Sequence, residues 1–146
     1  HHMGTAIETE SETDALMAAT GPALGLLLDA GHMAFATGDV MRVIDNHHAR
    51  ITHVHTKDIR RAVIDGLDRS CESFLDAVIK GAFTVPGDGD LDFEAMARRL
   101  AQHGYEGWFV VEAEQDPGPN PPLAMAQKGH IELTRVMASA GYEVAA

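Results

Sequence analysis

Three acidic or imidazole side chains stand at corresponding places in the sequence. Asp29 follows the apolar run Leu24 to Leu28, His55 closes the β-branched segment Ile51 to His55, and Glu112 follows the run Trp108 to Val111. Each run reads as a strand, and parallel strands about 4.8 Å apart would carry the three groups to one mouth despite their separation in sequence. One imidazole with two carboxylates suits Mn2+, Co2+, Fe2+, Zn2+ or Mg2+ and leaves positions for substrate oxygens. Taken singly, a strand-end Asp is equally a turn former or helix cap, and a lone His a satisfied structural group. The repetition at three successive strand ends is what favours a site.

Neighbouring residues add to the set. His32, three residues beyond Asp29, either assists in the site or caps the next segment. Lys57 and Asp58 follow His55 directly. A lysine at a strand end beside a metal can stabilise a developing enolate oxygen; the alternative is a surface ion pair of little energetic weight. His53 shares the face of His55 in an extended strand, and Glu114 stands in the same relation to Glu112, where it competes for the ligand role. His47, His48, His103 and His130 fall on predicted helices and are read as solvent-facing, and the methionines as core filler.

The elements that must position these groups follow from the pattern of apolar residues. Glu8 to Ala19 reads as a short helix with Thr9 or Ser11 as cap, stopped by Gly21-Pro22. The strand Leu24 to Leu28 is a continuous apolar run, which predicts burial on both faces. Asp39 to His48 is helical, Ile51 to His55 a strand, Ser73 to Ala82 a helix, and Val85 to Asp90 a loop. Phe93 to His103 places Phe93, Met96, Ala97 and Leu100 on one face and ends at Gly104. The strand Trp108 to Val111, the loop Asp116 to Pro122 and the helix Leu123 to Ala138 complete the chain. Alternating helices and strands predict an α/β fold with parallel strands, whose sites gather at the C-terminal strand ends.

Composition narrows the function. In 146 residues, 11 Lys and Arg face 22 Asp and Glu, a formal charge of −11. That excess argues against a phosphate backbone or an acidic leaflet as partner, so neither nucleic acid nor membrane is expected. A 45% hydrophobic, 23% charged chain is that of a folded domain, read as one partial domain over 1–146. The longest apolar run, Ala23 to Leu28, is far below the roughly 20 residues that span a bilayer, and nothing at the N-terminus reads as a signal peptide. A soluble, cytoplasmic protein is the expectation. Cys71 is the only cysteine, so an internal disulfide and a cysteine-based zinc site are both excluded. No strand is followed by a glycine-rich dinucleotide fingerprint. The opening His1-His2-Met3-Gly4 reads either as the end of a purification tag or as native sequence.

The strings HHMGT (1–5), LLLDAGHMAFATGD (26–39), ITHVHTKDIR (51–60), FTVPGDGDLDF (83–93) and GWFVVEAEQDP (107–117) closely resemble the C-terminal part of the inosose dehydratases. These are myo-inositol catabolism enzymes of the xylose-isomerase-like barrel superfamily. The patterns DxGH and HxHxKD belong to the superfamily at large, whereas HHMGT, VPGDG and VVEAEQDP are more specific to the dehydratases. The resemblance implies a lyase that uses a divalent metal, Mn2+ or Co2+, to remove water from 2-keto-myo-inositol. It implies metal ligands at Asp29, His55 and Glu112, catalytic roles for His32 and Lys57, and substrate contacts at His2, Asp58 and Arg60. A fourth ligand would come from His1, His2 or Glu8, and His1-His2 would belong to the native motif.

A complete TIM barrel needs roughly 250 residues and eight βα units. The expected fold is therefore α/β, the C-terminal half of a TIM (β/α)8 barrel with about three to four βα units. Both sheet edges would then expose backbone groups and apolar surface to the missing N-terminal half or to a second copy of the chain. The implied reaction passes through an enediolate. A base, His32 or a carboxylate, removes the proton beside a ketone, an acid protonates the departing hydroxyl, and Lys57 neutralises the growing oxyanion. A sugar or hydroxypyruvate isomerase or epimerase of the same superfamily would use the same groups and return the proton instead. An inactive half-barrel fragment or interaction module is the reading outside catalysis.

Overall fold

In the computed structural model of the chain, residues 1–143 are described; the last three residues of the single partial domain expected over 1–146 lie outside them. The first half contains α1 (Glu10–Ala19), β1 (Leu26–Asp29), α2 (Ala30–Phe35), α3 (Val40–His47), a 3-10 turn (His48–Arg50) and β2 (Ile51–His55). There follow β3 (Asp58–Ile59), α4 (Arg61–Ile64), α5 (Phe74–Ile79), β4 (Phe83–Thr84), α6 (Phe93–Gln102), β5 (Trp108–Val110) and α7 (Pro122–Ser139).

Short polar side chains start these helices by accepting the free amides of the first turn. Thr9 and Glu12 form a reciprocal capping box on α1, Ser73 and Asp76 another on α5, and Asp39 and Asp92 cap α3 and α6. The strands β1, β2 and β5 pair in parallel in the order β1-β2-β5. The register sets Leu28 opposite Val54 and Val54 opposite Phe109. That face is the core: Leu28 and Val54 are fully buried with Val43 and Ile44 of α3, Met96 and Leu100 of α6, and Val136 of α7. The predicted face of α6, Phe93, Met96, Ala97 and Leu100, is buried throughout.

The opposite face corrects one expectation. Leu27, His53 and Trp108 are in register there, yet Leu27 is 40% and Trp108 71% exposed. The run Leu24 to Leu28 is covered on one side only, because no layer of the described chain lies over the other. The pairing also goes beyond a purely parallel sheet. β3 and β4 form an antiparallel ribbon, Asp58 opposite Thr84 and Ile59 opposite Phe83, too short to leave a periodic signal in sequence. His47 also differs from its solvent-facing reading: its Nε2 lies 2.6 Å from Asp14 Oδ1 and the ring is mostly buried. No described helix is long and apolar enough to cross a membrane.

Candidate metal centre

Asp29 is the last residue of β1 and His55 the last of β2, and the parallel register sets them opposite one another. Val110 ends β5 opposite His55, and Glu112 lies two residues further along the extended chain. The structure thus brings Asp29, His55 and Glu112 together, with ligand atoms within 4.8 Å of one another. His55 Nδ1 is 3.4 Å from Asp29 Oδ2 and 3.7 Å from Glu112 Oε2. Asp29 serves two purposes, because its Oδ1 accepts the His32 N–H at 2.9 Å as the cap of α2 and leaves Oδ2 to face the cluster.

Lys57 stands beside these groups and is 1% exposed. A surface ion pair, the alternative reading of this residue, is therefore not what the structure contains. Its Nζ lies 2.9 Å from Glu112 Oε2 and 3.5 Å from Asp29 Oδ2. It donates to Glu114 Oε2 at 2.5 Å and to His32 Nε2 at 2.7 Å. An ammonium has only protons to give, so Nε2 is the accepting nitrogen of His32. Burial drives His32 down to about 3, and the Lys57 charge adds to this against the pull of Asp29, so the ring is neutral at ordinary pH.

The charges support one another. Burial alone would push the Asp29 carboxyl up, but the hydrogen bond with His55 and the charge of Lys57 outweigh it and hold Asp29 below its usual value. Burial likewise opposes the Lys57 ammonium, and Asp29, Glu114 and Glu112 reverse the balance and raise it. His55 is raised by its bond to Asp29, against burial. Glu112 Oε2 is buried without an aligned hydrogen-bond donor, although Lys57 Nζ is close. Two carboxylates and an imidazole converging, with one buried oxygen unmatched, form a donor set that fits a hard or borderline divalent ion.

The other predicted residues divide. His2 and Glu114 form a second group with His32, again with ligand atoms within 4.8 Å of one another. The His2 and His32 rings lie with centroids 3.7 Å apart and planes tilted by 40°, and His2 Nδ1 donates to the Met3 carbonyl at 2.8 Å. His1 lies against β1, its Nε2 accepting the Asp29 N–H at 3.3 Å, whereas Glu8 turns to the Gly4 N–H. Asp58 is fully buried and is not brought to the cluster: its carboxylate accepts four backbone amides, those of Ile59, Gly87, Gly89 and Leu91, at 2.8–3.2 Å. Those bonds tie the loop after β4 to β3 and leave no lone pair for a substrate. Arg60 is occupied there too, donating to the Gly81 carbonyl, Thr84 Oγ1 and Asp88. Spacing in sequence did not join His2 to Glu114; the HHMGT string held the only signal, through resemblance.

Comparison with known proteins agrees with the fold. A family model described as "Xylose isomerase-like TIM barrel" matches residues 1–134. The rhizopine catabolism protein MocC of Rhizobium meliloti is 50% identical over 99% of this chain and 44% of its own length. An inosose dehydratase of Lactiplantibacillus plantarum is 50% identical over 89% of this chain, again 44% of its own length. The chain therefore spans less than half the length of these curated relatives. Among solved structures, the IOLI protein with a binding zinc atom superposes with a TM-score of 0.70 at 14% identity, covering 97% of this chain and 48% of that one.

Proposed function

The chain belongs to the xylose isomerase-like TIM barrel family, and from that footing we propose that it carries the metal-holding part of a dehydratase that removes water from inosose, 2-keto-myo-inositol. The observation that carries this reading is the convergence of Asp29, His55 and Glu112 beside the buried Lys57 ammonium. The inosose dehydratase that is 50% identical over most of the chain supports the substrate. Asp29, His55 and Glu112 would hold the ion, Mn2+ or Co2+, and zinc suits the same donors. When bound, a divalent ion supplies Lewis-acid polarisation of a ketone.

The chain's own residues account for the rest. Lys57 sets positive charge beside the oxygen on which negative charge grows as the neighbouring carbon loses its proton. His32 holds that ammonium through Nε2 and so has no free lone pair there for proton transfer. His2 differs: the Met3 carbonyl fixes the ring proton on Nδ1, and Nε2 keeps its lone pair on a side chain that is 40% exposed. We assign the proton transfer to His2. The C–H proton passes to Nε2, the double bond forms as the β C–O bond breaks, and the proton leaves with the hydroxyl as water. The rest of a barrel would cover the face bearing Leu27 and Trp108, and we assign the activity to that closed assembly.

Joining the chain to the N-terminal part of the L. plantarum inosose dehydratase and supplying inosose with Mn2+ tests this. Loss of water, abolished by Asp29→Ala, supports the reading; return of an isomerised ketose with no loss of water contradicts it. A rhizopine-derived substrate is the second reading, favoured by the likeness to MocC over 99% of the chain. Turnover of that substrate in preference to inosose selects it.

A further inference from the structure

The two ligand groups, Asp29-His55-Glu112 and His2-His32-Glu114, adjoin one another, and one cation already stands where they meet. Lys57 Nζ touches members of both: 2.7 Å to His32 Nε2, 2.5 Å to Glu114 Oε2, 2.9 Å to Glu112 Oε2 and 3.5 Å to Asp29 Oδ2. Two imidazoles and a carboxylate are a usual zinc donor set. The imidazoles are in a state to bind, since His2 has Nε2 uncommitted 3.6 Å from Glu114 Oε1 and His32 presents Nε2 as an acceptor. Space for the lysine is built in. A Cβ at Gly31 would lie 2.6 Å from Lys57 Cγ and 2.9 Å from its Cβ, so only glycine lets the stem pass.

We propose that His2, His32 and Glu114 form a second cation pocket whose occupant is the chain's own Lys57 ammonium, so that the protein takes one metal ion where it has ligands for two. The proposal rests on the reading of Asp29, His55 and Glu112 as ligands of the first ion. Charge supports it: the carboxylates of Asp29, Glu112 and Glu114 are balanced by one divalent ion and one ammonium. Removing the ammonium leaves an excess negative charge beside two imidazoles, which a second divalent ion would offset.

The test is the zinc content of the chain after equilibrium dialysis against Zn2+ alone, with folding followed by circular dichroism. Wild type is expected to hold about one ion, Lys57→Met about two, and Lys57→Met with His2→Ala and Glu114→Ala about one again. Lys57→Gln replaces the Met variant if that does not fold. Asp29→Ala reads the first site separately: with Lys57 present it should abolish binding, and with Lys57→Met it should leave the second ion in place. A folded Lys57→Met and Lys57→Gln that hold no more zinc than wild type overturn the proposal, as does a second ion that survives loss of His2 and Glu114. An Asp29→Ala chain that still binds zinc as wild type does, beside a gain on Lys57→Met, overturns only the first-site reading.

Discussion

Gly31 and Lys57 are packed so closely that a methyl group on the glycine would stand 2.6 Å from the lysine Cγ and 2.9 Å from its backbone oxygen. Both neighbours are part of a buried wall, with no flexible end to swing aside. Gly31→Ala should therefore lower stability by about 1–3 kcal/mol, the usual cost of overpacking, and shift the ammonium from His32 and Glu114. Urea unfolding reads the first effect. An unchanged midpoint would mean that this contact is not tight in solution.

Asp58 gathers the amides of Ile59, Gly87, Gly89 and Leu91. Burial pushes its carboxyl up, against the pull of those amides. Asp58→Asn would turn an NH2 toward two of the donors and should cost about 2–3 kcal/mol. Equilibrium denaturation should show this loss at neutral pH, with protease cutting within 85–91 accelerated. A variant as stable as wild type would show that these four bonds do not hold the loop to β3.

Thr37 has φ +62°, a conformation that a β-branched residue adopts at a cost. It follows α2 in a Schellman closure, with Thr37 N–H on the Ala34 carbonyl and Gly38 N–H on the Met33 carbonyl. Thr37→Gly should stabilise the fold by about 1 kcal/mol and raise Tm by about 2–4 °C. A lower Tm would show that the threonine side chain contributes more than its backbone strain costs.

The parts of this fold and site that were legible in sequence were those set by runs and strand ends. Leu26 to Leu28, Ile51 to Val54 and Phe93 to Leu100 carry enough buried apolar side chains to fix β1, β2 and α6, and Asp29 and His55 meet because their strands pair in parallel. Three things were not legible. The ribbon of β3 and β4 has two residues a side and is held by a carboxylate from β3 and the amides of a loop about 30 residues away, which no local period reports. The burial of Lys57 depends on three acids from β1 and the segment after β5, so the residues around it in sequence leave it open between a site group and a surface ion pair. The open side of Leu27 reads as core because apolar runs do not say which layer is present.

Asp88 bears on acid stability. Burial raises its carboxyl, but Lys128, Thr84 and Arg60 outweigh this and bring it down to about 2 from an ordinary value of 3.8. A folded-state pKa below the unfolded one means that this stabilisation is complete above 3.8 and is lost as the pH falls towards about 2. Urea midpoints for wild type and Asp88→Asn should converge across that window and differ by a constant amount above it. Parallel curves through the window would show that Asp88 is not depressed.

The central claim is that Asp29, His55 and Glu112 hold one divalent ion together. Mn2+ binding followed by electron paramagnetic resonance tests it most directly, on wild type and on His55→Ala and Glu112→Ala variants of verified fold. The account predicts about one tightly bound Mn2+ per chain, with affinity lowered at least about tenfold by either substitution. Binding of equal strength in all three proteins, or none in any of them, would contradict it.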